Sequence, residues 1–238
     1  PSIDEQKNIG ECLNKTDQLI ASNQRKLDQF KKVKKLLMQK IFDQKWRFEG
    51  FTDPWEQRKL GEVSEKIKEK NIENAFTETF TNSAERGIVK QLDFFDKDIS
   101  NVKNLSNYYV VRPDDFVYNP RISNYAPVGP INRNKLSKAG VISPLYYVFR
   151  THNINKLFLE KYFLTTNWHK FMKLNGDTGA RADRFAIKNA VFVKMPIPYP
   201  SDNEQRLIGS MLDKPDQLIA SNQRNQNSIR NKLPSYIC

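Results

Sequence analysis

The chain has 238 residues, of which 38% are hydrophobic and 28% charged, a balance that allows a buried core and excludes a wholly disordered chain. The longest apolar stretches are five residues, such as Leu145–Phe149, far below the roughly 20 that a membrane span needs, and no signal peptide is recognisable at the start. Two cysteines, Cys12 and Cys238, are too few for a disulfide framework, so we expect a reduced, cytoplasmic setting.

The net charge of +12 is concentrated in the middle of the chain. Residues 108–199 contain 14 basic and 5 acidic residues, a local net charge of +9, and residues 116–159 contain six basic residues and no acidic one. This concentration favours an anionic partner, and a nucleic-acid backbone is the first candidate because binding to it releases counterions. An ordinary basic surface is the alternative interpretation.

Residues 1–47 are predicted to form one long helix, which at 1.5 Å per residue would span roughly 60 Å. The segment from Ser2 to Glu5 resembles a capping box. Apolar residues then recur at spacings of three and four, which indicates a seam for packing against another helix. The seam positions are Ile9, Leu13, Ile20, Asn23, Leu27, Phe30, Leu37 and Ile41.

Residues 48–199 have a different pattern. Short β-type runs at 108–111, 116–118, 141–142 and 145–149 are separated by prolines, which predicts strands joined by turns. The apolar spacing of residues 155–174 predicts a helix, and residues 190–195 are predicted to be the last strand. Together these elements predict an α+β globular domain of about 150 residues.

Residues 200–238 repeat the first helix. Asp17–Arg25 recurs unchanged as Asp216–Arg224, 199 positions later, and nine identical residues in a row indicate a duplication. Asn23 and Asn222 occupy the same seam position, where a polar residue usually fixes register and partner, while Pro215 should break or kink the second helix or begin its longer part. The two copies pair either within the chain or with copies in a second chain. The seam positions of the second copy are Ile208, Leu212, Ile219, Asn222, Ile229 and Leu233.

Three segments together resemble the specificity (S) subunit of bacterial type I restriction-modification enzymes. They are the sequence Phe-Glu-Gly-Phe-Thr-Asp-Pro-Trp-Glu-Gln-Arg-Lys-Leu-Gly at 48–61, the proline-rich segment at 195–201, and the twin Gln-Leu-Ile-Ala-Ser-Asn-Gln-Arg helices. The resemblance implies an α+β fold in which a globular target recognition domain, residues 48–199, is flanked by two long coiled-coil-forming helices, residues 1–47 and 200–238.

The same resemblance implies a role. S subunits of this family alternate two recognition domains with two helices, each domain reads half of a bipartite duplex DNA target, and the helices dock methyltransferase (M) subunits, through which restriction/motor (R) subunits join. This sequence departs from the pattern because it has two helix copies but one recognition domain, so we interpret it as a half-length S subunit or a fragment. A half-length subunit is expected to form a homodimer through its helices and to read a symmetric bipartite site.

The candidate DNA contacts lie in three polar segments. Residues 118–125 and the glycine-containing loop 175–184 hold groups that read base edges or approach phosphates, and residues 132–138 form a basic loop that we assign to phosphates. We predict base contacts for Arg121 and Arg181 and backbone contacts for Lys170 and Lys173. The full candidate set is Tyr118, Asn119, Arg121, Ser123, Asn124, Arg133, Lys135, Lys138, Lys170, Lys173, Thr178, Arg181 and Arg184.

No catalytic constellation is visible in the sequence. There is no phosphate-binding loop of the Gly-x-x-x-x-Gly-Lys type, and His152 and His169 lie apart from any cysteine or carboxylate at ligand spacing. The segment Tyr118–Arg121 is only superficially similar to the Asn-Pro-Pro-aromatic signature of amino-methyltransferases. We therefore expect no enzyme activity, metal or cofactor in this chain, with the chemistry residing in partner subunits. The alternatives are a truncated decoy that binds partner subunits without reading DNA, and a single-strand or RNA binder that stacks bases on tyrosines.

Overall fold

The structure, a computed structural model, describes residues 1–94, 105–178 and 183–232, the segment 222–232 by its backbone alone. Two compact units are present: Pro1–Arg47 with Ser210–Cys238, and Phe48–Gly209. Within the described ranges, no helix is long and apolar enough to cross a membrane. The predicted α+β class is confirmed, and each unit is described below by itself.

The helical unit consists of helix α1, Ile3–Phe42, and the greater part of helix α6, Asp202–Lys232. Ser2 caps α1 by accepting a hydrogen bond from the Glu5 amide at 3.3 Å, as expected for the first turn. The break or new start predicted at Pro215 is wrong, because one continuous helix includes this proline.

Helices α1 and α6 contact each other within the helical unit. Lys34 of α1 forms an ion pair with Asp216 of α6, so the two helices contact each other directly. Among the seam residues of this unit, Leu27, Ile41 and Leu212 are buried. The N-terminal part of α1 differs, because its seam residues stay exposed: Ile9, Leu13, Ile20, Asn23 and Phe30. Leu37 and Ile219 are half-buried, Leu233 lies outside the described residues, and the side chains of Asn222 and Ile229 lie outside them as well.

The globular unit is built from short antiparallel strands. The strands are β1 Glu56–Lys59, β2 Ser64–Lys66, β3 Phe80–Ser83, β4 Gly87–Lys90, β5 Tyr109–Val111, β6 Phe116–Tyr118, β7 Ile131–Arg133, β8 Gly140–Ile142, β9 Tyr147–Thr151 and β10 Pro196–Tyr199. A four-stranded sheet of order β2-β9-β6-β7 forms the centre, and three strand pairs, β1-β10, β3-β4 and β5-β8, surround it. The short helices of this unit are α2 Gln91–Phe94, α3 Lys156–Phe163, α4 His169–Asn175 and α5 Asn189–Phe192.

Both faces of β6, an inner strand of the central sheet, are buried. Phe116 of β6 stacks on Phe149 of β9 with ring centroids 5.4 Å apart, and Phe163 of α3 packs edge-on against both. Val117, which points to the opposite face because side chains alternate along a strand, belongs to a second apolar cluster with Phe80 and other residues. The strand β6 is therefore rigid, and it carries the loop that matters for the site.

Two details of the predicted secondary structure are wrong. The single helix predicted over 155–174 is divided into α3 and α4, because the Thr165 hydroxyl donates to the Tyr162 carbonyl at 2.7 Å and accepts from the Asn167 amide, which ends the first helix. The strand predicted over 190–195 is replaced by α5, and the strand β10 begins at Pro196, where a missing N–H is tolerated at a strand's first residue.

The first turns of α6 are anchored in the globular unit. The Trp55 indole N–H donates to the Glu204 carboxylate at 3.0 Å, and the Asn155 amide donates to the Gln205 side chain at 2.8 Å. Ile208 is 1% exposed. The matching residues of α1, at positions 5, 6 and 9, are all exposed, so equivalent residues of the two repeat copies lie in different surroundings.

Candidate nucleic-acid interface

The loop that joins β6 to β7, residues 119–130, is closed tightly at its base. The Asn119 amide donates to the Pro130 carbonyl at 3.0 Å, and the Tyr118 hydroxyl donates to the Val128 carbonyl at 3.0 Å. Gly129 has a φ of +81°, and a Cβ at this position would stand 2.1 Å from the Asn119 carbonyl oxygen, so only glycine fits. The loop therefore leaves the sheet from a fixed position.

Two segments that are far apart in sequence form one ridge here. Arg121 and Arg184 are partners in an antiparallel bridge, which is supported by hydrogen bonds from the Ile122 amide to the Asp183 carbonyl at 3.0 Å and from the Phe185 amide to the Pro120 carbonyl at 2.8 Å. We call residues 120–126 and 183–186 the loop ridge. It brings the two predicted reading segments together, which the sequence did not indicate.

The tip of the loop ridge is a two-residue hairpin. Ser123 and Ala126 exchange both backbone hydrogen bonds at 3.1 Å, and the Ser123 hydroxyl accepts a further one from the Ala126 amide. Asn124 and Tyr125 form the turn, and Tyr125 is 75% exposed. An amide and a phenol thus project from the ridge, and an asparagine amide is the group that pairs bidentately with adenine.

The ridge carries two arginines that form no ion pair with a carboxylate among the described residues. Arg121 and Arg184 stand directly opposite each other, so their side chains leave the same face of the bridge. Among the described residues, neither arginine has an ion-pair partner. The same is true of Lys170 and Lys173, which precede the ridge segment 183–186, and of Lys188, which follows it. We call these five residues the ridge cations.

The basic loop 132–138 has a different character. Arg133 binds Glu160 at 2.6 Å and Asp114 at 2.8 Å, and Lys135 binds Glu160 at 3.0 Å. Lys138 and Lys90 both bind Glu78, at 2.6 Å and 2.7 Å. The hydrogen bond from Lys138, followed by that from Lys90, holds the pKa of Glu78 below its usual range. Each cation of this loop would have to leave a carboxylate in order to contact a phosphate.

Two of the predicted DNA contacts are interior residues. Tyr118 is 4% exposed and stacks on Phe192 with centroids 5.0 Å apart, and burial raises the pKa of its hydroxyl. Asn119 is 6% exposed and its amide is hydrogen-bonded within the protein. Both side chains support the ridge from below, and we leave them out of the contact set.

The other predicted residues lie at the surface. Ser123, Asn124, Lys170, Lys173 and Thr178 are exposed, Arg184 is half-exposed, and Arg181 lies outside the described residues. Residue His169, at the start of α4, packs edge-on against Trp168 with centroids 4.5 Å apart. Burial and, secondly, Lys173 lower the pKa of His169.

Two grooves of about 540 Å³ and 670 Å³ run along the loop ridge, and Tyr146 lines both. The smaller groove lies between the ridge residues Arg121 and Tyr125 and a wall made by β3 and the start of α2, which includes Gln91. This wall was missed in the sequence because residues 80–94 show no basic cluster. No strand was predicted in this region, so the sequence offered no signal for Gln91.

The described part of the chain contains no cluster of three or more histidine, cysteine or carboxylate side chains able to hold a metal ion. The arrangement of the site suits the binding of a polyanion. It offers guanidinium and ammonium groups that have no carboxylate partner among the described residues, and the Asn124 amide projects beside them.

The comparisons with known proteins identify the family. Residues 52–231 match the family model of the type I restriction modification DNA specificity domain, and the chain therefore belongs to that family. The comparison with curated proteins found no match.

Three solved structures share the fold. The S subunit of a type I restriction-modification system from M. genitalium is 16% identical with a TM-score of 0.59, and 98% of this chain covers 60% of that one. The HsdS subunit from Thermoanaerobacter tengcongensis is 22% identical with a TM-score of 0.52, with 98% of this chain and 56% of that one covered. A chain from work on complex assembly and conformational transition of the type I R-M system is 22% identical with a TM-score of 0.51, at 99% and 57% coverage. The present chain thus spans less than two thirds of the length of each.

Proposed function

We propose that residues 48–199 form a target recognition domain that reads one half of a bipartite duplex DNA sequence. The observation that carries the proposal is the pairing of Arg121 with Arg184 on one face without a carboxylate partner among the described residues. Like charges directly opposite each other on neighbouring strands repel, so an anion placed between them is stabilising. Arginine is also the side chain that binds guanine O6 and N7, or a phosphate, with two hydrogen bonds.

The ridge residues divide into two roles. We assign base reading to Arg121 and to Ser123 and Asn124 of the hairpin, because a projecting tip reaches into a groove of the duplex. We assign phosphate contacts to the remaining ridge cations and to Thr178, because they flank the tip. Phosphate contacts fix the orientation of the protein, and base contacts supply the specificity.

The two helices serve assembly in this proposal. They dock the methyltransferase subunits, the restriction/motor subunits join through those, and the chain itself contributes no chemistry. Support comes from the apolar side chains that α1 exposes in its N-terminal part, including Ile9, Leu13 and Ile20, which are 49%, 46% and 44% exposed. A second copy of the chain can occupy the same surface and so rebuild a symmetric two-domain reader.

The test is a comparison of Arg121→Ala with Arg112→Ala. Arg112 is a matched control because it is a surface arginine of the same domain, 45% exposed at its side chain, but it is bound to Glu69 at 2.7 Å. The chain, with its methyltransferase subunits, is selected against random duplexes and the bound sequences are read. We expect Arg121→Ala to lose about 1–3 kcal/mol at one base pair, which is about 5- to 150-fold, and Arg112→Ala to keep the preference.

Two outcomes contradict the proposal. If Arg121→Ala retains the full sequence preference, Arg121 does not read a base. If the wild-type complex binds all duplexes equally while the helices still capture the methyltransferase subunits, the chain is the decoy considered above. A preference for single strands over duplexes instead favours stacking on residues such as Tyr125.

A further inference from the structure

Three asparagines meet at the base of the loop that carries Arg121. Asn82 of β3 and Asn119 at the end of β6 are 1% and 6% exposed, and Asn132 of β7 is half-buried. We call them the asparagine cluster. A buried amide must make hydrogen bonds to offset its desolvation, so the partners of these side chains show what they hold in place.

The side chain of Asn119 connects the reading loop to a neighbouring strand. Its Oδ1 accepts from the Arg121 backbone amide at 2.9 Å, and its Nδ2 donates to the Asn82 carbonyl at 2.8 Å. Only one orientation of the amide serves both contacts, because a backbone N–H needs an oxygen and a carbonyl needs an N–H. The backbone of Arg121 is therefore fixed relative to β3.

Asn82 holds both ends of the same loop. Its Nδ2 donates to the Val117 carbonyl at 2.7 Å, just before the loop, and to the Pro130 carbonyl at 3.4 Å, where the loop ends. Its Oδ1 accepts from Asn132 Nδ2 at 2.7 Å, so both the nitrogen and the oxygen of its side chain are hydrogen-bonded within the protein. The position of the Arg121 Cα thus depends on hydrogen bonds made by two buried side chains, those of Asn82 and Asn119.

We propose that Asn119, held by Asn82, is a positioning residue for base readout by Arg121. This inference rests on the proposed function, and it adds the residue that sets the geometry of reading. A bidentate contact tolerates only about 0.5 Å of displacement, so a loosened Arg121 backbone loses base discrimination while its charge still attracts DNA. Asn119 acts through Arg121 and does not touch DNA.

The chain supplies a matched control in Asn134, which is 1% exposed. Asn134 has the same two contacts in the adjacent loop: its Oδ1 accepts from the amide two residues later, Leu136, at 3.0 Å, and its Nδ2 donates to the Arg112 carbonyl at 3.0 Å. Replacing either asparagine by alanine removes the same hydrogen bonds at the same depth. Only Asn119 lies under Arg121, so a difference between the two variants reports positioning and not general stability.

The experiment measures sequence preference and total DNA affinity for Asn119→Ala, Asn134→Ala and the double variant Asn119→Ala/Arg121→Ala, each with methyltransferase subunits. We expect both single variants to melt at similarly lowered temperatures. Asn119→Ala should lose about 5- to 150-fold discrimination at the base pair read by Arg121, with little loss on non-cognate duplexes. The double variant should discriminate no worse than Arg121→Ala alone, because the two changes act on one contact.

Asn119→Ser separates the contact with the Arg121 amide from the contact with the Asn82 carbonyl. It also replaces Asn119→Ala as the test variant if the alanine variant does not fold. A serine hydroxyl still accepts from the Arg121 amide but cannot reach the Asn82 carbonyl, so discrimination should be partly restored. Wild-type discrimination in Asn119→Ala, or an equal loss in Asn134→Ala, overturns the positioning role and leaves the proposed function intact. Absence of any sequence preference in the wild-type chain overturns both.

Discussion

The duplicated helices allow the same substitution to be made at equivalent positions of the two repeat copies, so that its effect on stability can be compared between two surroundings. Ile208 is 1% exposed and Ile9, its counterpart 199 positions earlier, is 49% exposed. Ile→Ala removes three carbons, which at about 0.8 kcal/mol each corresponds to about 2.4 kcal/mol of transfer free energy, and the cavity left in a core raises the total to about 2–5 kcal/mol. We expect Ile208→Ala to lower the free energy of unfolding by that amount.

Ile9→Ala should behave differently. About half of the side chain is already in water, and alanine is the better helix former, so the expected change is below about 1 kcal/mol. The assay is urea unfolding followed by tryptophan fluorescence at a concentration where the chain is monomeric. Equal losses in the two variants would refute the reasoning, because they would mean that both helix starts are packed against a domain. At higher concentration, Ile9→Ala should weaken self-association, which sedimentation measures.

Three further predictions concern the site. The four ridge cations assigned to phosphates predict a slope of about −3.6 for the logarithm of the DNA affinity against the logarithm of salt concentration. Lys188→Ala should reduce the magnitude of this slope by about 0.9 in anisotropy titrations, and an unchanged slope removes Lys188 from the interface. Lys138→Ala should barely change DNA affinity. Because Lys138 lowers the pKa of Glu78, its contribution to stability is present above the ordinary pKa of a glutamate and is lost as the pH falls through the lowered pKa of Glu78. The melting temperatures of variant and wild type should therefore converge on acidification. Gly129→Ala should lower the free energy of unfolding by about 1–3 kcal/mol, because Gly129 has a left-handed backbone and a Cβ there would stand 2.1 Å from the Asn119 carbonyl oxygen. Gly10→Ala in α1 should raise the free energy of unfolding by about 0.5–1 kcal/mol, because a Cβ at that position meets nothing within 4 Å. Calorimetry that finds Gly129→Ala more stable than Gly10→Ala contradicts the loop geometry.

The architecture could be predicted from the sequence because its signals are local or repeated. The apolar spacing indicated α1, and the unchanged Asp17–Arg25 and Asp216–Arg224 segments indicated the second helix. The division of residues 155–174 into two helices was missed because it depends on one hydroxyl, that of Thr165, competing for backbone groups. The contrast between Ile9 and Ile208 was beyond sequence analysis, since identical patterns carry no information about what packs on them.

The site was harder to predict because it depends on pairing across the chain. Arg121 and Arg184 are neighbours only because the segments 120–122 and 183–185 form a short antiparallel ladder. A ladder of this length is too short to produce an alternating hydrophobic pattern in the sequence. Tyr118 and Asn119 have the chemistry of DNA readers but lie at the end of a strand buried on both faces. A polar residue in a predicted loop is therefore as easily a support of the loop as a contact made by it.

The net charge indicated a basic region but not which of its cations are bound to carboxylates. Of the 14 basic residues in 108–199, seven are bound to a carboxylate: Arg112, Arg133, Lys135, Lys138, Arg150, Lys156 and Lys161. These seven include all three that the sequence placed in the phosphate-binding loop 132–138. A partly buried guanidinium such as Arg133, which holds two carboxylates, would give up both contacts to bind DNA, whereas Arg121 gives up none among the described residues. The free energy available for binding an anion is thus set by which cations have no partner in the folded protein, and that quantity depends on the fold and not on the composition.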